Sequence, residues 1–105
     1  MFKLLKQRQP KEELVGQLIA VLERVQELCS QSDDSLWSPD SASDLTSSMA
    51  FAIQKLRDGK NISLKELDFL FLPTGSLQDT SIDNGWGDEF LELAGRFDNI
   101  KDNWR

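Results

Sequence analysis

Four carboxylates crowd into a short stretch near the C-terminal end of the sequence, and they are the residues best placed to do chemistry. Asp79, Asp83, Asp88 and Glu89 fall within eleven positions. Paired carboxylates can serve as general acid and base, and clustered carboxylates can bind hard cations through oxygen. Acids near the start of a helix, however, ordinarily favour the helix dipole or lie in water. We therefore expect capping or solvation here rather than an active site.

A calcium loop is the most specific metal site that these acids could form, and the sequence fails its pattern. With Asp79 at the first position of an EF-hand loop, Ser81 and Asp83 fit the third and fifth positions. Asn84 then replaces the glycine that the sharp turn requires, and Phe90 occupies the place of the bidentate glutamate. Both departures fall at positions that set the geometry of the loop. The sequence predicts no metal and no other cofactor.

The residue types that most enzymes rely on are missing. Histidine and tyrosine are absent and cysteine occurs once, so the commonest general base and the commonest metal ligand are excluded. The sequence contains no Gly-x-Ser-x-Gly elbow, no Walker motif and no Gly-x-Gly-x-x-Gly loop. Cys29 continues an apolar helical stripe four residues after Val25, which favours a buried filler over a reactive thiol. We predict that the protein is not an enzyme.

Length and charge restrict the choice of partners. The chain has 105 residues and a net charge of −6, enough for one domain with one core. Residues 30–50 and 72–105 each carry a net −4, and the only cationic stretch is the first eleven residues. A nucleic-acid partner would require a basic stripe, so none is expected. No segment has the length of a membrane span, and a lone cysteine without a signal peptide predicts a cytoplasmic location.

The elements that must position these residues are all helices. Apolar residues recur at steps of three and four, and the start and stop signals divide the chain into four helices. Ser38 and Pro39 mark the second start, Gly59 marks its end, and Ser63 with Glu66 forms a capping box at the third. The prediction is a single all-α domain, residues 1–105, with helices over 11–30, 39–58, 64–71 and 86–98, an N-terminal arm over 1–10 and a tail over 99–105. The first helix should pack along the second and the last.

A long ordered loop over residues 72–85 separates the last two predicted helices. Pro73 with Gly75 predicts one turn, and Asn84 before Gly85 predicts another. Long loops inside compact domains are often functional. Trp86 and Trp104 lie beside this loop or beyond it and are typical interface anchors, although aromatic residues could equally form the core. The candidate interaction residues are Pro73, Gly75, Asp79, Asp83, Asn84, Trp86 and Trp104.

One stretch of the sequence is distinctive. Residues 70–79 read Leu-Phe-Leu-Pro-Thr-Gly-Ser-Leu-Gln-Asp, and residues 84–90 read Asn-Gly-Trp-Gly-Asp-Glu-Phe. Residues 66–98 resemble a group of small bacterial helical domains in which a Leu/Phe run precedes a Gly-Ser-x-x-Asp loop and a C-terminal helix. The two preceding helices fit by pattern. The resemblance implies a helical fold and a bacterial setting, and it implies no activity. Some of these domains look like immunity or accessory partners of larger proteins.

Three functions remain open from the sequence. The favoured one is a non-enzymatic protein–protein interaction module of immunity or adaptor type that binds a more basic protein through the acidic loop and its aromatic neighbours. The second is a self-associating structural protein, a homodimer formed through the apolar run at 69–72 and Trp104. The third is a small-ligand or metal-binding domain that uses Asp79, Asp83 and Asp88. If Asp79 or Asp83 does not face a partner, it is expected to cap the last helix.

Overall fold

A computed structural model describes residues 10–104, and within that range every regular element is a helix. The elements are α1 (Lys11–Ser30), α2 (Ala42–Arg57), α3 (Lys65–Leu70), α4 (Ser76–Asp83) and α5 (Gly87–Asp102). The all-α prediction is confirmed, whereas the predicted number of four helices is wrong, because the segment predicted as a loop contains α4. Residues 1–9 of the predicted arm lie outside the described residues, and so does Arg105.

Helix α1 has the predicted bounds, and its apolar stripe forms the spine of the core. Pro10 precedes the first turn, where Glu12 and Glu13 favour the helix dipole. The helix packs against α2 and α5, as predicted. The buried residues recur at steps of three and four, so that one face of α1 lies entirely inside: Leu14, Leu18, Val21, Leu22, Val25, Leu28 and Cys29.

Helix α2 begins three residues later than predicted. Ser38 does not cap it, because its hydroxyl is engaged with the backbone of Asp40. Ser41 is the N-cap, and its hydroxyl accepts a hydrogen bond of 2.9 Å from the amide of Asp44. A carboxylate oxygen of Asp34 also accepts a bond of 2.7 Å from the amide of Ala42. Residues 31–41 are therefore a longer connection than the sequence indicated.

Helix α4 corrects the predicted loop over residues 72–85. Its sequence is rich in serine, threonine and aspartate, which have low helix propensity and favour turns. Tertiary packing outweighs that propensity, since Leu77, Thr80 and Ser81 are wholly buried and form a narrow inward face. Only the flanking turns predicted at 72–75 and 84–85 lie outside the helix, and Gly85 has the positive φ of 83° expected of it.

Helix α3 is short, and the residue that follows it packs against α5. Helix α3 lacks the predicted capping box, because the Ser63 hydroxyl accepts from the amide of Lys65 rather than from that of Glu66. Phe71, just after α3, stacks on Phe97 of α5 with ring centres 4.4 Å apart.

Helix α5 runs four residues past its predicted end, so the predicted tail over 99–105 is largely helical. Within residues 10–104, no helix is long and apolar enough to cross a bilayer.

Candidate functional site

Three of the predicted interaction residues lie at the junction of α4 and α5, and they bind the connection between α1 and α2. We call Asp83, Asn84 and Trp86 the Trp86 corner. Asn84 is the central contact: its Oδ1 accepts from the amide of Asp33, and its Nδ2 donates to the carbonyl of the same residue, both at 2.9 Å. The indole Nε1 of Trp86 donates to the hydroxyl of Ser32 at 2.9 Å. The corner thereby fixes the first half of the connection.

The acid of the corner holds a buried serine. The hydroxyl of Ser35 donates to Oδ2 of Asp83 over 2.6 Å, and Ser35 is buried although its neighbours are exposed. Asp83 therefore does not cap α5, one of the two roles expected of it, and its side chain is exposed although one carboxylate oxygen is engaged with Ser35. At the other end of α4, the hydroxyl of Ser76 donates to Oδ2 of Asp40 over 2.6 Å. Helix α4 thus clamps the connection on both sides of residues 36–39.

Between the two clamps the chain makes a tight turn with two large apolar side chains at its tip. The amide of Ser38 donates to the carbonyl of Ser35 over 3.3 Å, the i to i+3 bond of a β-turn. The amide of Trp37 also donates to the hydroxyl of Ser35. Leu36 is 94% exposed and Trp37 is 79% exposed. We refer to residues 35–38 as the Leu36–Trp37 turn.

Carboxylates surround this turn. Asp33, Asp34 and Asp40 lie within three residues of it along the chain, and Asp83 touches its first residue. Each accepts a hydrogen bond from a neutral donor or lies exposed, so the negative charge stays at the surface. The segment 30–50 contains no lysine or arginine to offset it. The turn therefore presents an apolar tip within an acidic rim.

The other predicted residues lie elsewhere. Trp104 follows the end of α5, about 25 Å from Trp86 along a helix of this length, and its ring carries the ammonium of Lys11 at 4.0 Å. Pro73 is exposed between α3 and α4. Gly75 allows a close approach of backbone, because a Cβ there would lie 2.9 Å from the carbonyl oxygen of Leu70. Asp79 is half-buried on α4.

The sequence interpretation missed Leu36 and Trp37. Their signal was an apolar pair inside a stretch that otherwise consists of serine, aspartate and proline. The predicted cap at Ser38 places Trp37 just before a helix start, where a large side chain commonly packs against the helix. The later start of α2 leaves it on the turn instead.

A second apolar surface lies on α2 and α3, away from the turn. It is a groove of about 450 Å³ that is open to solvent. Phe51 on its edge is 65% exposed, and the ammonium of Lys55 lies 4.8 Å from the centre of the Phe51 ring. Lys65 and Glu66 also border it. We call it the α2–α3 groove; its apolar lining is Phe51, Ala52, Ile62, Leu67 and Leu70.

The four carboxylates within residues 79–89 do not converge on one site. Glu89 on α5 forms a bidentate ion pair with Arg24 of α1, at 2.6 and 2.9 Å, and this pairing lowers the pKa of Glu89 and raises that of Arg24. Asp83 binds Ser35 instead, and Asp88 is exposed. Within the part of the chain that the structure describes, no group of three or more acids or cysteines could hold a metal ion.

Cys29 is buried on α1. Burial raises the pKa of its thiol to about 11, so the sulfur is protonated at neutral pH and is a poor nucleophile. This agrees with the filler role that its place in the apolar stripe predicted.

Comparison with other proteins adds no relative. No family model, no curated protein and no solved structure matches the chain. The resemblance of residues 66–98 to small bacterial helical domains stays a prediction.

Proposed function

We propose that the protein is a non-enzymatic interaction module of immunity or adaptor type, which docks on a more basic protein through the Leu36–Trp37 turn. The observation that carries the proposal is the exposure of Trp37 at the tip of a turn clamped on both sides. Tryptophan is the residue most enriched among binding hot spots. A turn that is already ordered loses little conformational entropy on binding.

The acidic rim indicates the chemistry of the partner. Asp33, Asp34 and Asp83 would attract a lysine- or arginine-rich surface and speed the encounter. The apolar tip requires a pocket that takes up an indole and an isobutyl group. The partner is therefore a protein with an apolar pocket bordered by cations. Asp83 and Asn84, predicted from the sequence as contact residues, hold the connection that carries the turn through their bonds to Ser35 and Asp33. The lone buried Cys29 is consistent with a reducing cytoplasm.

Affinity capture from the native cell tests the proposal, provided that it compares variants. The wild-type protein and Leu91→Ala, which removes an exposed side chain from α5, should retain the same basic protein. Trp37→Ala should lose it, and moderate salt should weaken its retention. A set of captured proteins that is identical for all three chains would contradict the proposal.

Self-association is the second candidate function, and a separate observation favours it. Phe51 and Phe69 are both more than half exposed on the α2–α3 side of the molecule, and Leu72 follows them. Exposed apolar patches of this kind often mark contacts between subunits. Sedimentation at rising concentration tests this candidate directly.

A further inference from the structure

We infer that the partner of the Leu36–Trp37 turn is a second copy of this chain, which receives the turn in its α2–α3 groove. The inference rests on the proposed function in taking the turn as the contact surface, and it departs from it in the partner: a second copy is no more basic overall, but its groove carries a locally cationic rim. It identifies the partner by matching two unpartnered apolar features of the described residues, one convex and one concave.

The two features match in shape. The turn offers an exposed indole and an exposed isobutyl group, and the groove offers about 450 Å³ of open space. Cavities of this size take up small apolar ligands. The apolar part of the lining is aliphatic with the ring of Phe51 at its edge, which suits edge or offset contact with an indole, and Ser48, Asn61 and Ser63 lie beside it.

The two features also match in charge. Lys55 and Lys65 border the groove against a single Glu66, so its rim is locally cationic although the whole chain is acidic. The turn has an acidic rim with no basic residue nearby in sequence. Lys55 is well placed for such a contact, because its ammonium already lies over Phe51 at the mouth of the groove. Opposite charges at the rim favour the correct orientation more than they add affinity.

A chain cannot insert its turn into its own groove. The turn precedes the first residue of α2, whereas Phe51 and Lys55 lie roughly 14–20 Å further along that helix. Hydrogen bonds from α4 hold the turn at both ends and prevent it from reaching across. The same separation leaves the turn of each copy free while its groove is occupied. A second copy can then pair reciprocally, with each turn in the other's groove, or head-to-tail. Reciprocal pairing gives a two-fold dimer, whereas head-to-tail contacts build rings or open chains.

The contact is small, so the association should be weak. One turn and one groove fall below the area of a standard stable interface. Sedimentation of the full-length protein from about 10 μM to about 1 mM covers the range in which weak contacts of this size are detected. We expect the mean mass of the wild type to rise with concentration, to that of a dimer if the pairing is reciprocal and beyond it if the pairing is head-to-tail. Leu91→Ala, on α5 and outside both surfaces, should follow the wild type.

Two variants separate the halves of the contact. Trp37→Ala removes the indole from the turn and leaves the groove intact. Phe51→Asp replaces the ring at the edge of the groove with a charge and leaves the turn intact. Both side chains are largely exposed, so both variants should fold, which circular dichroism checks. Each variant alone should associate at least about tenfold more weakly than the wild type. Mixed in equal amounts, they should recover association and stop at a one-to-one dimer.

Several results would overturn the inference. It fails if the wild type stays at the mass of one chain up to the highest concentration, or if the mixture does not associate although the wild type does. Association of Trp37→Ala equal to that of the wild type would instead indicate a two-fold contact through α2 and α3. The proposed function fails separately, when capture of a basic partner does not depend on Trp37. A monomeric protein whose partner capture does depend on Trp37 would refute only the second-copy inference.

Discussion

Two tryptophans of this chain each follow a polar stretch of sequence, but one side chain is buried and the other is exposed. Trp86 comes after Asp83 and Asn84, is 8% exposed, and meets Phe90 edge-on with ring centres 6.4 Å apart. Trp37 comes after Asp33, Asp34 and Ser35, and is 79% exposed. The indole nitrogen of Trp86 has a protein acceptor in Ser32, whereas Trp37 contributes only its backbone amide to the local hydrogen bonds.

The difference arises from helical register. Trp86 precedes the first residue of α5 and lies four positions before Phe90, so it continues the buried stripe of that helix. Trp37 stands five positions before α2 begins, and a turn held at both ends separates it from any stripe. Burial of Trp86 and exposure of Trp37 are nevertheless linked, because the corner that contains Trp86 holds the turn that presents Trp37. We therefore expect one tryptophan to act on stability and the other on binding.

The largest expected effect separates the two tryptophans directly. Trp86→Ala should lower the free energy of unfolding by about 3–5 kcal/mol, because it leaves a cavity in the core. Trp37→Ala should change that free energy by no more than about 0.5 kcal/mol, as is usual for exposed positions. Urea denaturation followed by circular dichroism measures both. Equal losses for the two variants would show that Trp37 is packed and would remove the basis of the proposed docking surface.

The next effect concerns the position of α4, on which the support of the turn depends. Gly75→Ala should lower the free energy of unfolding by about 1–3 kcal/mol, because its Cβ would press on the backbone carbonyls of Phe69 and Leu70 at 3.0 and 2.9 Å. Gly95→Ala is the matched control: it lies inside α5 with nothing within 4 Å of the added carbon. That change should raise the free energy of unfolding by about 0.5–1 kcal/mol through helix propensity. Thermal melts of the two variants should therefore shift in opposite directions.

The sequence was sufficient for the long helices and insufficient for the segments between them. The stripes of α1 and α5 have strong apolar periods, and periodicity alone predicted that they are helical and which face is buried. Helix α4 was missed because Thr80 and Ser81 are small polar residues whose burial depends on neighbours distant in sequence. The turn was missed for a related reason: the bonds from Asp83 and Asn84 cross about fifty positions of sequence, and no local pattern records them.

The candidate site shows the same division. Asp83, Asn84 and Trp86, three of the seven candidate interaction residues, lie together because they are close in sequence and flank a turn. Their direction was not predictable, since a carboxylate beside a tryptophan is equally suited to a partner or to another part of the same chain. The structure turns all three toward the connection between α1 and α2.

A substitution of Asn84 tests whether the Trp86 corner holds the connection between α1 and α2. Asn84→Ala removes the bonds to both backbone groups of Asp33, and we expect a loss of about 1–2 kcal/mol in the free energy of unfolding. The amide of Asp33 should then exchange its hydrogen faster, because its acceptor is gone. Asn99→Ala, at an exposed position of α5, serves as control. Unchanged exchange at Asp33 would show that the connection holds its shape without the corner.

The smallest effect tests how α5, the helix that follows Trp86, is tied to α1. The Arg24 guanidinium lowers the pKa of Glu89, so the unfolded chain takes up a proton at this site at a higher pH than the folded chain does. The stabilisation is therefore present above the ordinary glutamate pKa of about 4.3 and is lost as pH falls through the lower folded value.

Glu89→Gln should melt slightly below the wild type at pH 7, by no more than about 2 °C because the pair is partly exposed and screened. The two melting temperatures should converge under acid conditions, whereas Glu92→Gln, which breaks an exposed pair within α5, should leave the attachment to α1 intact. A difference between wild type and Glu89→Gln that persists undiminished at the lowest pH would mean that the side chain of Glu89 acts through packing, and that charge does not help to hold the Trp86 corner in place.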